Sequence, residues 1–209
     1  MTEKTQSPKR RRPKQSRSQE TFETILKAAA ELFGEKGYDN VTTHAVAERA
    51  SISVGGLYRY FADKEAILVE VYRREMDALR QHILEEFRAV DLEEEEIRAL
   101  VRKAMKMAFN AYKRRAPLLR VLVEQSRKMD ELMRLRRRQE REIHDAVGVI
   151  LDMVSGVTLK DKKMGAYLIT LFLESLIDDN VLYEKTPEEF DEHRVLDGAV
   201  DFLFRYVRG

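Results

Sequence analysis

The chain has 209 residues, of which 44% are hydrophobic and 36% charged, with four prolines and a formal net charge of +1. This length suits one large or two modest domains, and the apolar share is too high for wholesale disorder. The longest nearly apolar stretch, residues 166–173, is far shorter than the roughly 20 residues of a membrane span. The absence of cysteine from the sequence excludes disulfides, thiolate metal sites and cysteine nucleophiles. We therefore expect a helix-rich cytoplasmic protein with no membrane partner.

The beginning of the chain carries an excess of positive charge. Residues 1–20 hold seven Lys or Arg residues against two Glu. Two prolines and a scarcity of apolar residues predict a disordered basic arm over residues 1–17. Two roles stay open for it, a solubilising terminus and an arm that binds nucleic acid. In the second role the contacts come from Arg10, Arg11, Arg12 and Arg17.

Apolar residues recur at helical spacing from Thr21 and stop near Gly37. This pattern predicts an amphipathic helix with Gly37 as its C-terminal cap. Thr42 or Thr43 is expected to cap a second, short helix, because a hydroxyl oxygen can accept a hydrogen bond from a free backbone amide of the first turn.

A third helix is predicted over residues 54–60, after a three-residue turn. A long fourth helix is expected to begin at Asp63 and to reach about Arg88. Ala47 is small enough for the two short helices to cross closely. This spacing is typical of a helix-turn-helix unit, here within a head of residues 18–66.

Two adjacent glycines, Gly55 and Gly56, lie in the third predicted helix. Each costs about 1 kcal/mol of helix stability relative to alanine. In one interpretation the bare backbone approaches the major groove of DNA closely. In the other, the pair marks a loop or packs against the first helix. The residues alone leave both open.

Several short runs occur at fixed spacing between residues 33 and 68: FGEKGY at 33–38, VTT at 41–43, VAERA at 46–50, SVGGLYRYF at 53–61 and KEAIL at 64–68. Together they resemble the DNA-binding head of the tetracycline-repressor (TetR) family over roughly residues 21–68. The resemblance implies a dimeric transcriptional regulator, most commonly a repressor, whose third helix reads the major groove of a near-palindromic operator. The remaining two thirds of the chain match only in the number and length of helices.

The resemblance and the side-chain chemistry together indicate which residues contact DNA. Hydroxyl and ammonium groups suit phosphates, and the start of the third helix lies nearer the base edges. Tyr60 lies on the inward stripe, so core packing is the stronger expectation for it. The whole set is Thr43, His44, Ser53, Val54, Gly55, Gly56, Tyr58, Arg59, Tyr60 and Lys64.

Ser51 departs from the family pattern. Family members commonly have a left-handed glycine at this position of the turn. We expect Ser51 to adopt the same conformation with a strain of roughly 1 kcal/mol.

Five further helices are predicted in the rest of the chain. Their ranges are 97–112, 118–125, 129–154, 164–183 and 190–207, with breaks at Pro117, Ser155-Gly156 and Pro187. The expected fold is all-α: an N-terminal three-helix helix-turn-helix domain joined by a long helix to a C-terminal helical domain for effector binding and dimerisation, over residues 67–209.

The last two predicted helices are apolar on two sides. This character favours pairing across a two-fold axis, as the resemblance also implies. A monomer in which these helices are merely central is the alternative. The expected interface comprises Leu168, Leu171, Phe172, Leu176, Leu196, Val200 and Leu203.

Methionines and aromatic residues on the middle helices favour an adaptable cavity. The family usually binds a small effector there, and we expect a hydrophobic one. Ordinary core packing is the alternative for each residue. The candidates are Met105, Phe109, Tyr112, Glu124, Met133, Tyr167, Thr170 and Glu174.

Charged residues near this region allow more than one interpretation. Glu174 and Asp178 lie four apart on one helix face and repel each other if both are charged, so a cationic partner and an interface role are both open. The arginines at 134, 136–138 and 141 are interpreted as a solvated face, with a portal for an anionic effector as the alternative.

An enzyme is the first rival class. The four histidines lack the spacing of a metal site or a catalytic triad, and the glycine pair lacks the lysine of a phosphate-binding loop. We therefore expect no catalytic residue, no metal and no cofactor. A helical nucleoid or scaffold protein that binds DNA without a ligand switch remains the alternative function.

Overall fold

The computed structural model describes residues 14–90 and 96–209 of the chain. Arg10, Arg11 and Arg12 lie outside the described residues. Within them the chain forms helices and turns without a strand, which confirms the all-α prediction. The helices are α1 (Lys14–Lys36), α2 (Thr43–Arg49), α3 (Val54–Leu57), α4 (Lys64–Arg88), α5 (Ile97–Lys113), α6 (Ala116–Ser126), α7 (Asp130–Met153), α8 (Lys162–Ile177), a π-helical turn (Asp178–Leu182) and α9 (Glu192–Arg208).

The first helix is longer than the sequence predicts. It begins at Lys14, so residues 14–17 are helical rather than part of a disordered arm. The carbonyl of Arg17 accepts a hydrogen bond from the Thr21 hydroxyl at 2.9 Å. The physical reason is that Pro13 is the last proline of the segment and good helix formers follow it.

Local capping signals are confirmed at several helix ends. Gly37 has φ +76° and ends α1, its N–H donating to the carbonyl of Phe33 at 2.9 Å. The Thr42 hydroxyl caps α2 by accepting from the backbone of Ala45, and the Asp63 carboxylate caps α4. These ends require only residues near in sequence, which is why the sequence predicts them.

The third helix is shorter than predicted and ends at Leu57 instead of residue 60. Beyond it, the N–H groups of Arg59 and Tyr60 donate to the carbonyls three residues back, so the chain tightens into turns. The two glycines lower the stability of this one-turn helix, so the chain changes to tighter three-residue turns after Leu57.

A continuous core joins the head to the body. In the head, Ile25 and Leu57 are fully buried, and the ring of Phe22 stacks on Phe61 with centroids 5.2 Å apart. Helix α4 runs from this core into the body, where Arg73 forms an ion pair with Glu131 of α7 at 3.1 Å. Helix α4 is therefore the long helix that the sequence predicts between the two domains.

The body contains α5 to α9 at nearly the predicted positions. Pro117 lies in the first turn of α6 rather than in a break before it, since proline fits a helix start. The predicted fourth body helix divides into α8 and the π-helical turn. Among the described helices, none combines the length and the hydropathy needed to cross a bilayer.

Candidate functional site

The turn between α2 and α3 has the geometry of a helix-turn-helix. Ser51 is left-handed, with φ +55°, as predicted. Its N–H donates to the carbonyl of Glu48, and the N–H of Ile52 donates to that of Ala47 at 3.0 Å. Ala47 is almost completely buried, so the two short helices cross closely at this residue and hold the exposed side of α3 away from the core.

Two hydroxyl side chains meet on this exposed side. The hydroxyl of Thr43, at the start of α2, lies 3.1 Å from the hydroxyl of Tyr58, just after α3. The side chain of Tyr58 is 49% exposed. This hydrogen bond links the two helices and places two groups suited to phosphate contacts side by side.

The two glycines of α3 have different surroundings. A Cβ added at Gly56 would lie 3.1 Å from the hydroxyl oxygen of Ser53, which caps α3 by accepting from the Gly56 N–H. Beyond its chain neighbours and the backbone of its own helix, a Cβ added at Gly55 would meet no described atom within 4 Å, and Gly55 is exposed. The close approach of the Ser53 hydroxyl therefore explains why residue 56 is a glycine. No comparable contact among the described residues explains the glycine at position 55.

The other head residues divide by exposure. His44 and Arg59 are exposed, as is Arg17 on α1, and Val54 is half-buried. Tyr60 is half-buried as well, with its ring 6.5 Å from that of Phe22 and its hydroxyl accepting from Ser18 at 3.4 Å. This environment matches the expectation of core packing for Tyr60.

Lys64 is held at the end of the head. Its ammonium donates to the carbonyl of Tyr38 at 2.9 Å and lies 4.1 Å from the centroid of that ring. The bond fixes the charge at the start of α4 and uses one of three N–H donors. The remaining donors suit a phosphate.

The body contains a partly open cavity of about 70 Å³, lined by residues of α4 to α8 and of the π-helical turn. Its walls combine apolar side chains with ionisable groups. The lining residues are Tyr72, Met76, Tyr112, Leu119, Leu122, Val123, Arg136, Gln139, Glu140, Ile143, Glu174, Ile177 and Asp178.

Arg136 belongs to this cavity and not to a solvated face, which corrects the sequence-based interpretation. Its Nε donates to the Glu140 carboxylate at 2.7 Å, and its Nη2 lies 4.0 Å from Glu174. The other arginines of the cluster, at 134, 137, 138 and 141, are exposed. Helical geometry turns residue 136 alone toward α8.

Glu174 and Asp178 both face the cavity, which decides between the two roles that the sequence leaves open. Burial raises the pKa of Glu174 to about 6, with Glu140 and Asp178 adding to the effect and Arg136 opposing it. Burial also raises the pKa of Asp178, against the pull of Arg136 and of Arg127, whose Nη2 lies 3.4 Å away.

Of the eight residues predicted to bind a ligand, only Tyr112 and Glu174 line this cavity. Met105 and Phe109 are core residues with 1% exposure. Thr170 is buried and donates to the backbone of Ala166 and Tyr167. The others point elsewhere: Tyr167 is exposed with its ring against His144, while Glu124 and Met133 are half-buried outside the lining. Apolar periodicity does not distinguish a cavity wall from a filled core.

An apolar groove lies between α8 and α9. Phe172 and Phe202 form its centre, with ring centroids 4.7 Å apart, and Leu176 lines it. Leu168 and Leu171 on α8 are 40% and 48% exposed beside it. These residues form an uncovered apolar face on the single chain.

Three residues predicted at the interface lie inside the chain instead. Leu196, Val200 and Leu203 have exposures of 7%, 0% and 4%. They form the stripe of α9 that packs toward α5, and ion pairs from Arg102 to Asp197 and from Arg98 to Asp201 join these helices. The outward stripe of α9 passes through Val195, Gly198 and Phe202.

Residues 25–71 match the family model described as bacterial regulatory proteins, tetR family. The head of the chain therefore resembles the DNA-binding head of the TetR family over these residues. The match covers the helix-turn-helix and the start of α4, and it therefore includes the residues described above from His44 to Lys64. The prediction of the family from residues 21–68 is confirmed.

Curated relatives and a solved structure extend the comparison. The chain is 46% identical over 55 residues to the transcriptional repressor KstR of Rhodococcus jostii, covering 26% of each protein. It is 39% identical over 59 residues to the regulator HbdR of Aromatoleum, covering 28% of this chain and 26% of HbdR. The matched part thus spans about a quarter of the length of these relatives, which are named as HTH-type transcriptional regulators.

The fold of most of the chain is similar to that of a transcriptional regulator from Rhodococcus sp. Rha1. The TM-score is 0.69 at 18% identity, over 90% of this chain and 98% of that one. This similarity shows that the two proteins share their helical fold through the body as well as the head.

Proposed function

We propose that this chain is a transcriptional repressor that binds a near-palindromic operator as a dimer and releases it when a small molecule enters the body. The observation that carries the proposal is the bare, exposed backbone of Gly55 on a family-matched helix-turn-helix. A glycine that the described chain does not need for its own packing fits a helix that approaches another molecule closely.

The exposed side of the head supplies both kinds of DNA contact. Thr43, Tyr58 and Lys64 carry hydroxyl and ammonium donors that suit phosphates and fix the register. Arg59 is exposed and long enough for base edges, where a guanidinium pairs best with guanine. The phosphate contacts of Thr43, Tyr58 and Lys64 then provide most of the affinity, and the contacts of α3 and Arg59 with the bases provide the sequence preference.

Dimerisation through the α8–α9 groove provides the second head. An uncovered apolar face with paired phenylalanines is a surface that association buries, and a two-fold axis makes the same face serve both copies. Two heads in fixed positions read two half-sites about one or more helical turns apart, which is the basis of a near-palindromic operator.

A path from the cavity to the head runs through two helices. Helix α6 lines the cavity with Leu119 and Leu122 and contacts α1 at Leu118. Helix α4 lines it with Tyr72 and enters the head at Lys64. A ligand that binds one arrangement of these helices more tightly than the other shifts the spacing of the heads.

Selection from a pool of random duplexes with the purified chain tests the proposal. Fluorescence anisotropy then compares the selected duplex with a scrambled one of equal composition, and footprinting locates the protected bases. We expect a tight, sequence-dependent complex protected on two half-sites. Equal affinity for both duplexes would favour the alternative, a nucleoid or scaffold protein.

A further inference from the structure

The charges that line the body cavity do not balance. Among the described residues, three carboxylates, those of Glu140, Glu174 and Asp178, face one guanidinium, that of Arg136. Ionised carboxylates around a partly desolvated space raise the free energy of the folded protein unless a cation compensates their charge.

The neighbouring cations compensate these carboxylates unequally. Arg136 bonds to Glu140 at 2.7 Å, and Arg127 lies 3.4 Å from Asp178. Arg136 approaches Glu174 only to 4.0 Å, at the limit of an ion pair. Glu174 is thus the carboxylate with the weakest pairing, and its elevated pKa agrees with this.

Apolar and aromatic residues form the rest of the wall. Leu119, Leu122 and Ile177 supply aliphatic surface, and Tyr72 and Tyr112 supply aromatic rings. Aromatic rings stabilise organic cations more than inorganic ones, whose hydration is costly to remove. The wall therefore suits a charged head with a compact apolar body.

The volume sets the scale of the part of the occupant that lies inside the cavity. A cavity of about 70 Å³ holds roughly five waters by the measure in which one water needs 10–15 Å³. Five waters occupy about 150 Å³ of liquid, so the buried part of the occupant is a small molecule of about this volume.

We propose that this cavity binds a small organic monocation, with the Glu174 carboxylate as its counter-ion. The inference rests on the proposed function, in which the cavity is the effector site, and it narrows the expected hydrophobic effector to a cationic one. An anion is disfavoured because Glu140 already occupies Arg136 and three carboxylates repel a further negative charge.

Three probes of one shape and different charge test the proposal directly. They are 4-hydroxyphenyltrimethylammonium, its neutral isostere 4-tert-butylphenol and the anion 4-hydroxybenzenesulfonate. Isothermal titration of the DNA-free protein is done at about pH 7.5, above the pKa of about 6 of Glu174, so that this counter-ion is ionised. We expect the cation to bind at least about tenfold more tightly than the phenol, and the sulfonate more weakly than either. Equal affinities, or an absence of cation binding at millimolar concentration, would overturn the proposal.

Glu174→Gln is the matched variant because it keeps the shape and removes the charge. It should weaken cation binding about tenfold and leave the affinity for the phenol unchanged. Thermal melts establish that the variant folds, and Ser175→Ala, an exposed neighbour, is the control. An unchanged cation affinity in folded Glu174→Gln would contradict the assigned counter-ion.

The pH dependence of cation binding separates Glu174 from its neighbours. The groups around it are Tyr72 on α4, Tyr112 on α5, Arg136 and Glu140 on α7, and Asp178. Burial raises the pKa of both tyrosines, that of Tyr112 to about 12, so neither titrates near neutrality. Cation affinity should fall as the pH drops through about 6, and Glu174→Gln should remove most of the fall. A fall of the same size in the variant would count against the proposal.

Operator binding is measured separately, so the two proposals fail in different ways. If the cation binds but the selected duplex is not released, the cation site stands and the ligand switch fails. If the duplex binds and the cation does not, repression stands and the cation site fails.

Discussion

A Cβ added at Gly34 of α1 would lie 3.5 Å from the backbone nitrogen of Leu118 in α6. The main chains of the two helices therefore approach each other closely at one point. Because α6 also lines the cavity, this contact connects the cavity wall with the first helix of the head.

Gly34→Leu is expected to weaken this connection. A large side chain would push α6 away from α1, and overpacking of this kind costs about 1–3 kcal/mol of unfolding free energy. Thermal melts measure that loss, and operator affinity with and without a bound ligand measures the switch. Gly34→Ala is the control, since its methyl group would make only ordinary van der Waals contacts. A full ligand response in folded Gly34→Leu would contradict the path through α6.

Gly55→Ala should change stability and DNA affinity in opposite directions. The added methyl group meets open space in the free chain, so helix propensity stabilises it by up to about 1 kcal/mol. In the complex the same methyl group obstructs the approach of α3, and we expect about tenfold weaker operator binding. Chemical denaturation and anisotropy measure the two quantities.

Ser51→Gly is the matched control for that result. Ser51 carries the left-handed strain, so glycine should stabilise the fold by about 1 kcal/mol. The exposed turn lies outside the expected DNA contacts, and operator affinity should stay unchanged. Loss of affinity in both variants would indicate that head rigidity, not close approach, sets binding.

Phe202→Glu should dissociate the proposed dimer and leave the monomer folded. Phe202 is 55% exposed on the single chain, so its removal costs the chain little, whereas a buried carboxylate is costly in the interface. Sedimentation velocity gives the oligomeric state. Leu84→Glu, at a 37% exposed position on α4, should remain dimeric, and Leu203→Glu, at a buried position, should unfold the chain. A dimeric Phe202→Glu would place the interface elsewhere.

Glu174 gives the stability of the fold a defined pH dependence. Its pKa is about 6 in the folded protein against 4.5 for the free side chain, so the folded state binds more protons between these values. Unfolding free energy therefore falls as the pH rises through this window. With the side chain 34% exposed and screened, we expect about 1 kcal/mol.

The difference between the wild-type chain and Glu174→Gln isolates this contribution, because Asp178 titrates in the same direction. Urea denaturation at several pH values should show the variant more stable above about pH 6 and the two chains equal below about pH 4.5. A difference that does not change with pH would mean that folding does not shift the pKa of Glu174.

Residues whose conformation depends on near neighbours were predictable from sequence. Gly37, Ser51 and Asp63 have the predicted roles because caps and tight turns are decided within a few residues. The head as a whole was predictable for the same reason, since its motif spacings are fixed over a short segment.

Residues whose role depends on the packing of distant helices were not predictable in the same way. Helix α9 has two apolar stripes, and its sequence does not say that Val200 faces α5 while Phe202 faces outward. Arg136 and Arg137 are neighbours in the same sequence of charged residues, yet Arg137 is exposed and Arg136 lines the cavity. The difference is that the side chain of Arg136 points toward α8. Both distinctions require the three-dimensional arrangement of the body.

The most direct test of paired recognition is a comparison of three duplexes by anisotropy: the selected operator, the same duplex with one half-site scrambled, and the fully scrambled duplex. If two heads joined through α8 and α9 read the operator together, loss of one half-site should lower the affinity nearly to that of the scrambled duplex, with two chains bound per operator. A half-scrambled duplex that binds as tightly as the operator, with one chain per duplex, would contradict the account.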